Sequence, residues 1–133
     1  MASLFSKIVK GEIPCYKVAE TNDYLAFLDI FPLKQGHTLV IPKKETDYIF
    51  DIDDQQLAGL HVFSKQVAHA IKKVVPCKRI GVAVIGLEVP HAHIHLVPMN
   101  EMNDINFDRP KLKLPAHEMQ QLAQAIQEAF KPS

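Results

Sequence analysis

The segment from His91 to Val97 reads His-Ala-His-Ile-His-Leu-Val and constrains the fold more than any other part of the chain. Histidines and apolar residues alternate strictly, which is the period of a β-strand. In such a strand His91, His93 and His95 project from one face at steps of roughly 6.6–7 Å, while the residues between them face a core. With seven histidines in 133 residues, this triplet arises by chance roughly 0.02 times per chain. The pattern therefore predicts a strand that presents three imidazoles on one surface.

Three interpretations of this surface are open. The histidines can be packed and hydrogen-bonded without a functional role, since a buried imidazole needs partners. They can belong to a metal site, because histidines two residues apart on a strand can both bind zinc. The outer pair lies roughly 13 Å apart by strand rise, however, so such a site needs a ligand from elsewhere. The favoured interpretation is nucleophilic catalysis, in which His93 attacks an electrophilic phosphorus and a flanking histidine donates a proton to the leaving group.

The remaining periodicities predict a single α+β domain over residues 1–133 with a mainly antiparallel sheet. Ser3 is expected to cap a short helix that ends at Gly11, and Asp51 or Asp53 is expected to cap the longest helix. The other predicted elements are a β-hairpin over 16–29, a strand over 37–41, a buried strand over 79–85, a strand over 91–97 and a helix opened by Pro115. Residues 99–114 are predicted to form a loop. A surface meander, a flap over the site and a dimer contact are all open for it.

Composition excludes some functional classes. Fifteen basic and fifteen acidic residues give a formal net charge of zero, so no basic excess is available for binding nucleic acid. No apolar stretch approaches the roughly 20 residues of a membrane-spanning helix, and the first eleven residues lack the apolar core of a signal peptide. Cys15 and Cys77 are the only cysteines. Two isolated thiols favour a cytoplasmic location, although one disulfide between them stays open.

The histidine strand resembles the signature of the histidine triad (HIT) superfamily, His-φ-His-φ-His-φ-φ with φ apolar. Residues 3–14 and 26–43 are similar to further blocks of the branch that includes the Hint nucleoside phosphoramidases. The resemblance implies a five-stranded antiparallel sheet with two main helices and a short amino-terminal helix, paired as a homodimer. It also implies a cofactor-independent hydrolase or transferase of AMP-like purine nucleotide derivatives, such as phosphoramidates, that works through a nucleotidylated histidine.

Carried onto this sequence, the resemblance makes His93 the nucleophile and His95 the residue that assists at the phosphate and the leaving group. It makes His91 the support of His93 through its backbone carbonyl, and it places His37 beside the triad. Asp29 is expected to accept the ribose hydroxyls, although a turn at a strand end explains it equally well. The resemblance further implies an apolar base pocket walled by Phe5, Ile8, Phe27, Ile30 and Leu39. Core packing is the alternative explanation of these apolar residues.

The sequence departs from this branch near its amino terminus. Some members carry a Cys-x-x-Cys there that binds structural zinc together with two histidines. This chain has Ser3 and Ser6 at those positions, and Glu45 where a histidine is often found. Hydroxyls are poor zinc ligands compared with thiolates. No metal is therefore predicted.

A second departure lies just before the triad. The branch usually has an Asn and then Gly-Gln at this point, and these groups help to hold the phosphate. Here Gly86 is present, Leu87 replaces the Gln, and Glu88 brings a carboxylate that repels a phosphate unless it turns away. Backbone N–H groups from Gly86 to Val89 can still cradle the anion. A nucleotide-binding module with weak or lost catalysis is therefore the main alternative to an enzyme, and a metal-dependent hydrolase is a further one.

Overall fold

The computed structural model describes residues 2–131. Its helices and strands follow one another as α1 (Leu4–Val9), β1 (Lys17–Glu20), β2 (Tyr24–Leu28), β3 (Thr38–Pro42), α2 (Asp54–Val74), β4 (Arg79–Ala83), β5 (Ile94–Met99) and α3 (Ala116–Ala129). Short 3-10 helices lie at Ile49–Asp51 and Met102–Ile105. The predicted α+β order, with two main helices and a short amino-terminal one, is confirmed. None of these helices combines the length and the apolar character that crossing a bilayer requires.

The five strands form one antiparallel sheet in the order β1-β2-β3-β5-β4. The predicted hairpin joins β1 and β2, and the Thr21 hydroxyl in its turn accepts the backbone N–H groups of Asp23 and Tyr24. The strand that carries the triad, β5, pairs with β3 on one side and with β4 on the other. Because both of its edges are paired, the sheet fixes the orientation of the side chains that β5 presents.

Local sequence explains where the helices begin. The Ser3 hydroxyl accepts the Ser6 N–H at the start of α1, as predicted. Of the two candidate caps for α2, Asp53 is the one used, and its carboxylate accepts the Gln56 N–H at 2.9 Å. The last helix, α3, follows Pro115, whose missing N–H costs nothing at a helix start.

Alternation along the strands buries both faces of the sheet. On one face a large core packs α2 and α3 against residues such as Val40 and Ile94. On the other face a smaller core lies under α1; it contains Phe5, Leu25, Phe27, Leu39 and Ile41. His95 pairs with Leu39 in register, so it belongs to the face that α1 covers.

Two strand predictions were wrong in detail. The triad strand begins at Ile94 rather than at His91, because the Ala92 N–H bonds to the Thr46 carbonyl at 2.7 Å instead of joining the sheet. The strand predicted over 79–85 ends at Ala83 and is not buried. It lies at the sheet edge, where its apolar residues have nothing to pack against on the outer side, and Val82 is 59% exposed.

Candidate active site

The three triad histidines lie on the α1 face of the sheet, at the start of β5. Although two of them precede the strand, His91, His93 and His95 still lie together, and the rings of the last two are 4.9 Å apart between centroids. The apolar residues between them, Ala92 and Ile94, enter the large core as predicted. His93 is 7% exposed, and it lines a cavity of about 400 Å³. Its ring is therefore packed on one side and open to a ligand-sized space on the other.

Hydrogen bonds determine which nitrogen of His93 is open. The His91 carbonyl oxygen accepts the Nδ1–H of His93 at 2.7 Å, so in neutral His93 the lone pair lies on Nε2. His91 is itself held from both sides. Its Nε2–H donates to the Pro42 carbonyl at 2.7 Å, and its Nδ1 accepts the Ser3 hydroxyl at 2.9 Å. The bond to the His91 carbonyl gives the middle histidine the tautomer that a nitrogen nucleophile requires, and the two bonds of the His91 ring hold the residue that supplies this carbonyl.

A second chain of bonds gives His95 the opposite tautomer to that of His93. The Leu33 N–H donates to Nδ1 of His37 at 3.0 Å, so in neutral His37 the hydrogen lies on Nε2. That Nε2–H donates to Nδ1 of His95, also at 3.0 Å. The one hydrogen of a neutral His95 is therefore on its Nε2. His37 lies beside the triad, where the sequence predicted it, and it acts there by setting the tautomer of His95.

Burial keeps this pair of histidines uncharged. Burial, together with the charges of His95, Lys111 and His93, lowers the pKa of His37 to about 3. Burial also lowers the pKa of His95 to about 4, with His93 and Lys111 as the further causes. Both rings are therefore neutral near pH 7, in agreement with the tautomers that their hydrogen bonds require.

Asp29 lies next to this pair. One of its carboxylate oxygens accepts the Phe31 N–H at 2.9 Å, and the other is 3.7 Å from Nε2 of His37. Burial raises the pKa of the carboxyl group, while the Phe31 N–H opposes that shift. The second oxygen is therefore available to accept hydrogen bonds from a ligand.

The predicted base-pocket residues are brought together, with one exception. Phe5 lies edge-on to His93 at 5.0 Å and to Phe27 at 5.5 Å between ring centroids. The small core contains Phe5, Phe27 and Leu39, with Ile8 and Val89 packed against it. Ile30, in contrast, is 58% exposed. Phe5, Phe27 and Leu39 are almost fully buried, so core packing describes them in this conformation. Ile8 is half-buried.

The cavity at His93 lies on another side of the ring from this cluster. It is lined by the 3-10 helix at Ile49–Asp51, the start of α2 and residues 84–87, and Gly86 is part of that lining. Neither Asp29 nor Phe5 lines it. Gly86 has a positive φ of 78°, which glycine adopts without strain, and its neighbour Leu87 is 88% exposed. Residues 84–87 therefore bring no polar side chain to the lining of this cavity.

The positions that resemble a zinc site form a hydrogen-bonded cluster instead. Glu45 Oε1 accepts the Ser3 N–H at 2.6 Å and the Ser6 hydroxyl at 2.7 Å. These bonds, the Ser3 N–H first, lower the pKa of Glu45 to about 2. Ser3 Oγ in turn accepts the Ser6 N–H and donates to Nδ1 of His91. The polar atoms of this cluster already form hydrogen bonds with one another, and neither hydroxyl is a good zinc ligand. These residues therefore do not fit a structural zinc ion.

A second group of possible metal ligands lies within the site. Ligand atoms of Asp29, His37 and His95 lie within 4.8 Å of one another. However, Nδ1 of His37 accepts the Leu33 N–H, and Nδ1 of His95 accepts the Nε2–H of His37. Neither of these two lone pairs is free for an ion, so the arrangement favours a hydrogen-bonded pair over a metal centre.

Two residues of the 99–114 segment contact the site, although the sequence did not indicate a role for them. The Phe107 ring lies 4.8 Å from the His95 ring and 6.2 Å from the His37 ring between centroids. Lys111 lies over the Phe107 ring, with Nζ 5.8 Å from its centroid. The segment therefore contacts the site rather than only crossing the surface. An aromatic residue and a lysine in a polar loop were the only signals that the sequence held for it.

The chain is similar to known proteins over most of its length. A family model described as HIT domain matches residues 10–102. The chain is 35% identical over 134 residues to the adenosine 5′-monophosphoramidase hnt1 of Schizosaccharomyces pombe, with 98% of this chain and 100% of that protein covered. Two solved structures are similar. A Hit-like protein involved in cell-cycle regulation from Bartonella henselae has a TM-score of 0.84 at 31% identity, covering 96% of each chain. A zinc-bound histidine triad family protein from Mycobacterium smegmatis has a TM-score of 0.83 at 27% identity, covering 97% of this chain and 93% of that one.

Proposed function

The chain belongs to the HIT domain family, and on that premise we propose that it is a nucleotide-binding hydrolase or transferase of nucleoside 5′-monophosphate derivatives, with phosphoramidates as its preferred substrates. The observation that carries this proposal is the bond from Nδ1–H of His93 to the His91 carbonyl, which leaves the lone pair of Nε2 open. The similarity to a fungal adenosine 5′-monophosphoramidase supports an amine as the leaving group.

The proposed reaction is a double displacement. Nε2 of His93 attacks the α-phosphorus, the phosphorus–nitrogen bond breaks, and the leaving nitrogen takes up a proton from solvent and departs as an amine. The Nε2–H of His95 donates a hydrogen bond to the reacting phosphoryl group and so stabilises the charge that develops on it. Water then attacks the phosphohistidine, which releases the nucleoside monophosphate and one proton and restores His93.

The nucleotide is proposed to lie across the α1 face of the sheet. The open oxygen of Asp29 accepts the ribose hydroxyls, as acidic residues do in other nucleotide sites. Half-buried Ile8, at the rim of the small core that contains Phe5, Phe27 and Leu39, supplies apolar surface for a purine. The phosphate is proposed to lie against backbone N–H groups of residues 86–89, among them those of Gly86, Glu88 and Val89.

A single-turnover experiment with an adenosine 5′-phosphoramidate labelled in the phosphate tests this proposal. The expected result is release of the amine together with a labelled protein adduct, and both are lost in His93→Ala. The matched control is His69→Ala, because His69 is exposed on α2. Saturable AMP binding without amine release or adduct would instead identify a binding module, the alternative that Leu87 and Glu88 favour. Loss of activity with a chelator, together with stoichiometric zinc in the purified protein, would identify a metal hydrolase.

We also propose that the protein forms a homodimer through β4. Within residues 2–131 this strand pairs only with β5, so its outer edge is open. Val82, Val84 and Ile85 are 59%, 38% and 49% exposed on or just after it. An open edge with exposed apolar residues is a surface that pairing with a second copy would cover. Val82→Glu is therefore expected to shift the mass measured by light scattering towards the monomer, while Gln120→Glu on α3 leaves it unchanged. A monomeric wild-type protein would contradict this part of the proposal.

A further inference from the structure

Residues 106–112 form a strap that lies against the triad site. Phe107 of the strap packs on the rings of His95 and His37 at 4.8 and 6.2 Å between centroids. At its other end the Leu112 N–H donates to the Pro32 carbonyl at 2.8 Å. Pro32 lies in the β2–β3 connection that also contains Asp29 and His37. The strap is therefore anchored on both sides of the groups that are proposed to meet the ribose and the phosphate.

Lys111 is the residue of the strap whose charge reaches the site. Its ammonium group lies over the Phe107 ring and donates to the backbone carbonyls of Phe107 at 2.5 Å and Arg109 at 3.3 Å. An ammonium has three N–H groups, so these two bonds leave one donor available. The Lys111 charge is among the causes that lower the pKa values of His37 and His95, and it opposes the rise that burial produces in the pKa of Asp29. The positive charge of Lys111 therefore acts on the Asp29 carboxyl group as well as on the His37 and His95 rings.

The neighbouring cations pair with a carboxylate, whereas Lys111 does not. Lys34 and Arg109 both pair with the buried carboxylate of Asp104, each at 3.5 Å. No carboxylate pairs with Lys111 in the part of the chain that the structure describes. An exposed lysine held close to a buried histidine pair and lacking a counter-ion is suited to an anionic ligand.

A cation at this site strengthens phosphate binding beyond what neutral N–H donors supply. The side chains before the triad do not supply donors, since Leu87 is apolar and 88% exposed and Glu88 carries the wrong charge. Of the triad rings, His93 offers a lone pair at its Nε2 and His95 offers one N–H at its Nε2. We propose, on the basis of the function proposed above, that Lys111 binds the phosphate of the substrate and supplies the positive charge that residues 87 and 88 lack.

Binding of AMP and of adenosine separates this role from a structural one, because the two ligands differ only in the phosphate. Calorimetric titration of Lys111→Gln is expected to show AMP affinity reduced about tenfold or more, with adenosine affinity unchanged. Lys111→Arg is expected to retain most of the AMP affinity. Lys113→Gln, which changes an exposed lysine two residues further on, is the matched control and is expected to behave as the wild type.

Two results would overturn the proposal while leaving the proposed function intact. If Lys111→Gln weakens AMP and adenosine equally, the lysine only shapes the strap. If it changes neither affinity, the phosphate does not contact it. Wild-type protein that binds neither ligand would overturn the proposed function and this inference together. Circular dichroism of each variant verifies that the fold is retained, so that a loss of affinity is not a loss of structure.

Discussion

Acid is expected to destabilise the fold through the two buried histidines of the site. His95 and His37 are 8% and 1% exposed, and burial is the main cause that lowers their pKa values to about 4 and about 3. In an unfolded chain a histidine titrates near 6.5. Because the folded pKa is the lower one, the unfolded state binds more protons between the two values. The free energy of unfolding is therefore unaffected by this pair above about pH 7 and falls as the pH falls from about 6.5 towards 4.

His95 alone gives the size of the effect. Its pKa is about 4 in the folded state against about 6.5 unfolded, and each pH unit between them contributes about 1.36 kcal/mol. By about pH 4 the loss is therefore roughly 3 kcal/mol. His37 acts in the same direction, but the two rings share a hydrogen bond at 3.0 Å and titrate as a coupled pair. Their separate contributions do not add, so about 3 kcal/mol is the expected minimum, a large part of the roughly 5–15 kcal/mol that stabilises a domain.

Urea unfolding followed by circular dichroism, at several pH values between about 7 and 4, measures this loss. His95→Asn keeps a hydrogen-bond acceptor near the position of Nδ1 but cannot titrate, so its free energy of unfolding is expected to depend less on pH. The matched control His69→Asn changes an exposed histidine on α2 and is expected to keep the wild-type slope. An unfolding free energy that stays constant between about pH 6.5 and 4.5, or equal slopes in wild type and His95→Asn, would show that His95 is not the group responsible.

Two further substitutions test the local geometry. Gly36→Ala is expected to cost about 2 kcal/mol in thermal unfolding, because Gly36 has a φ of 95° and a Cβ there would lie 2.9 Å from Cγ2 of Val75; an unchanged melting temperature would show that the backbone adapts. The triple variant Ser3→Cys, Ser6→Cys, Glu45→His is expected to bind one zinc ion per chain in elemental analysis, because the cluster at these positions would then carry two thiolates and a second imidazole. Zinc content equal to that of the wild type would show that the cluster is too compact for a metal.

Much of the fold could be predicted because local chemistry determined it. The Ser3 cap, the turn at 21–23 and the start of α3 after Pro115 depend on residues next to one another in the chain. The triad was predicted for the same reason, since strict alternation places the histidines on one face and Ala92 and Ile94 in the core. The one error there, the late start of β5, came from a long-range contact of Ala92 with Thr46 that no local pattern reveals.

The contacts that shape the site join distant segments, and local patterns did not predict them; only the resemblance to the HIT superfamily placed His37 beside the triad. Glu45 reaches Ser3 across 42 residues, and His37 reaches His95 across 58. The 99–114 segment has no period, so nothing in it indicated that Phe107 would pack on His95. The strand at 79–85 was expected to be buried because it is apolar. An apolar run indicates which residues prefer burial, but it does not say whether a neighbouring strand is there to bury them.

The opposite tautomers of His93 and His95 follow from the backbone groups to which their hydrogen bonds lead. His93 donates its Nδ1–H to a backbone acceptor, the His91 carbonyl, which leaves a lone pair at its Nε2, and the Pro42 carbonyl holds the His91 ring in place. The chain through His37 begins at a backbone donor, the Leu33 N–H, and passes the hydrogen outward, which leaves an N–H at Nε2 of His95. Two identical side chains on one segment are thus given different chemical roles by the backbone groups behind them. Chemistry at this site therefore depends on the loops at 33–37 and 42–46 as directly as on the histidines that they orient.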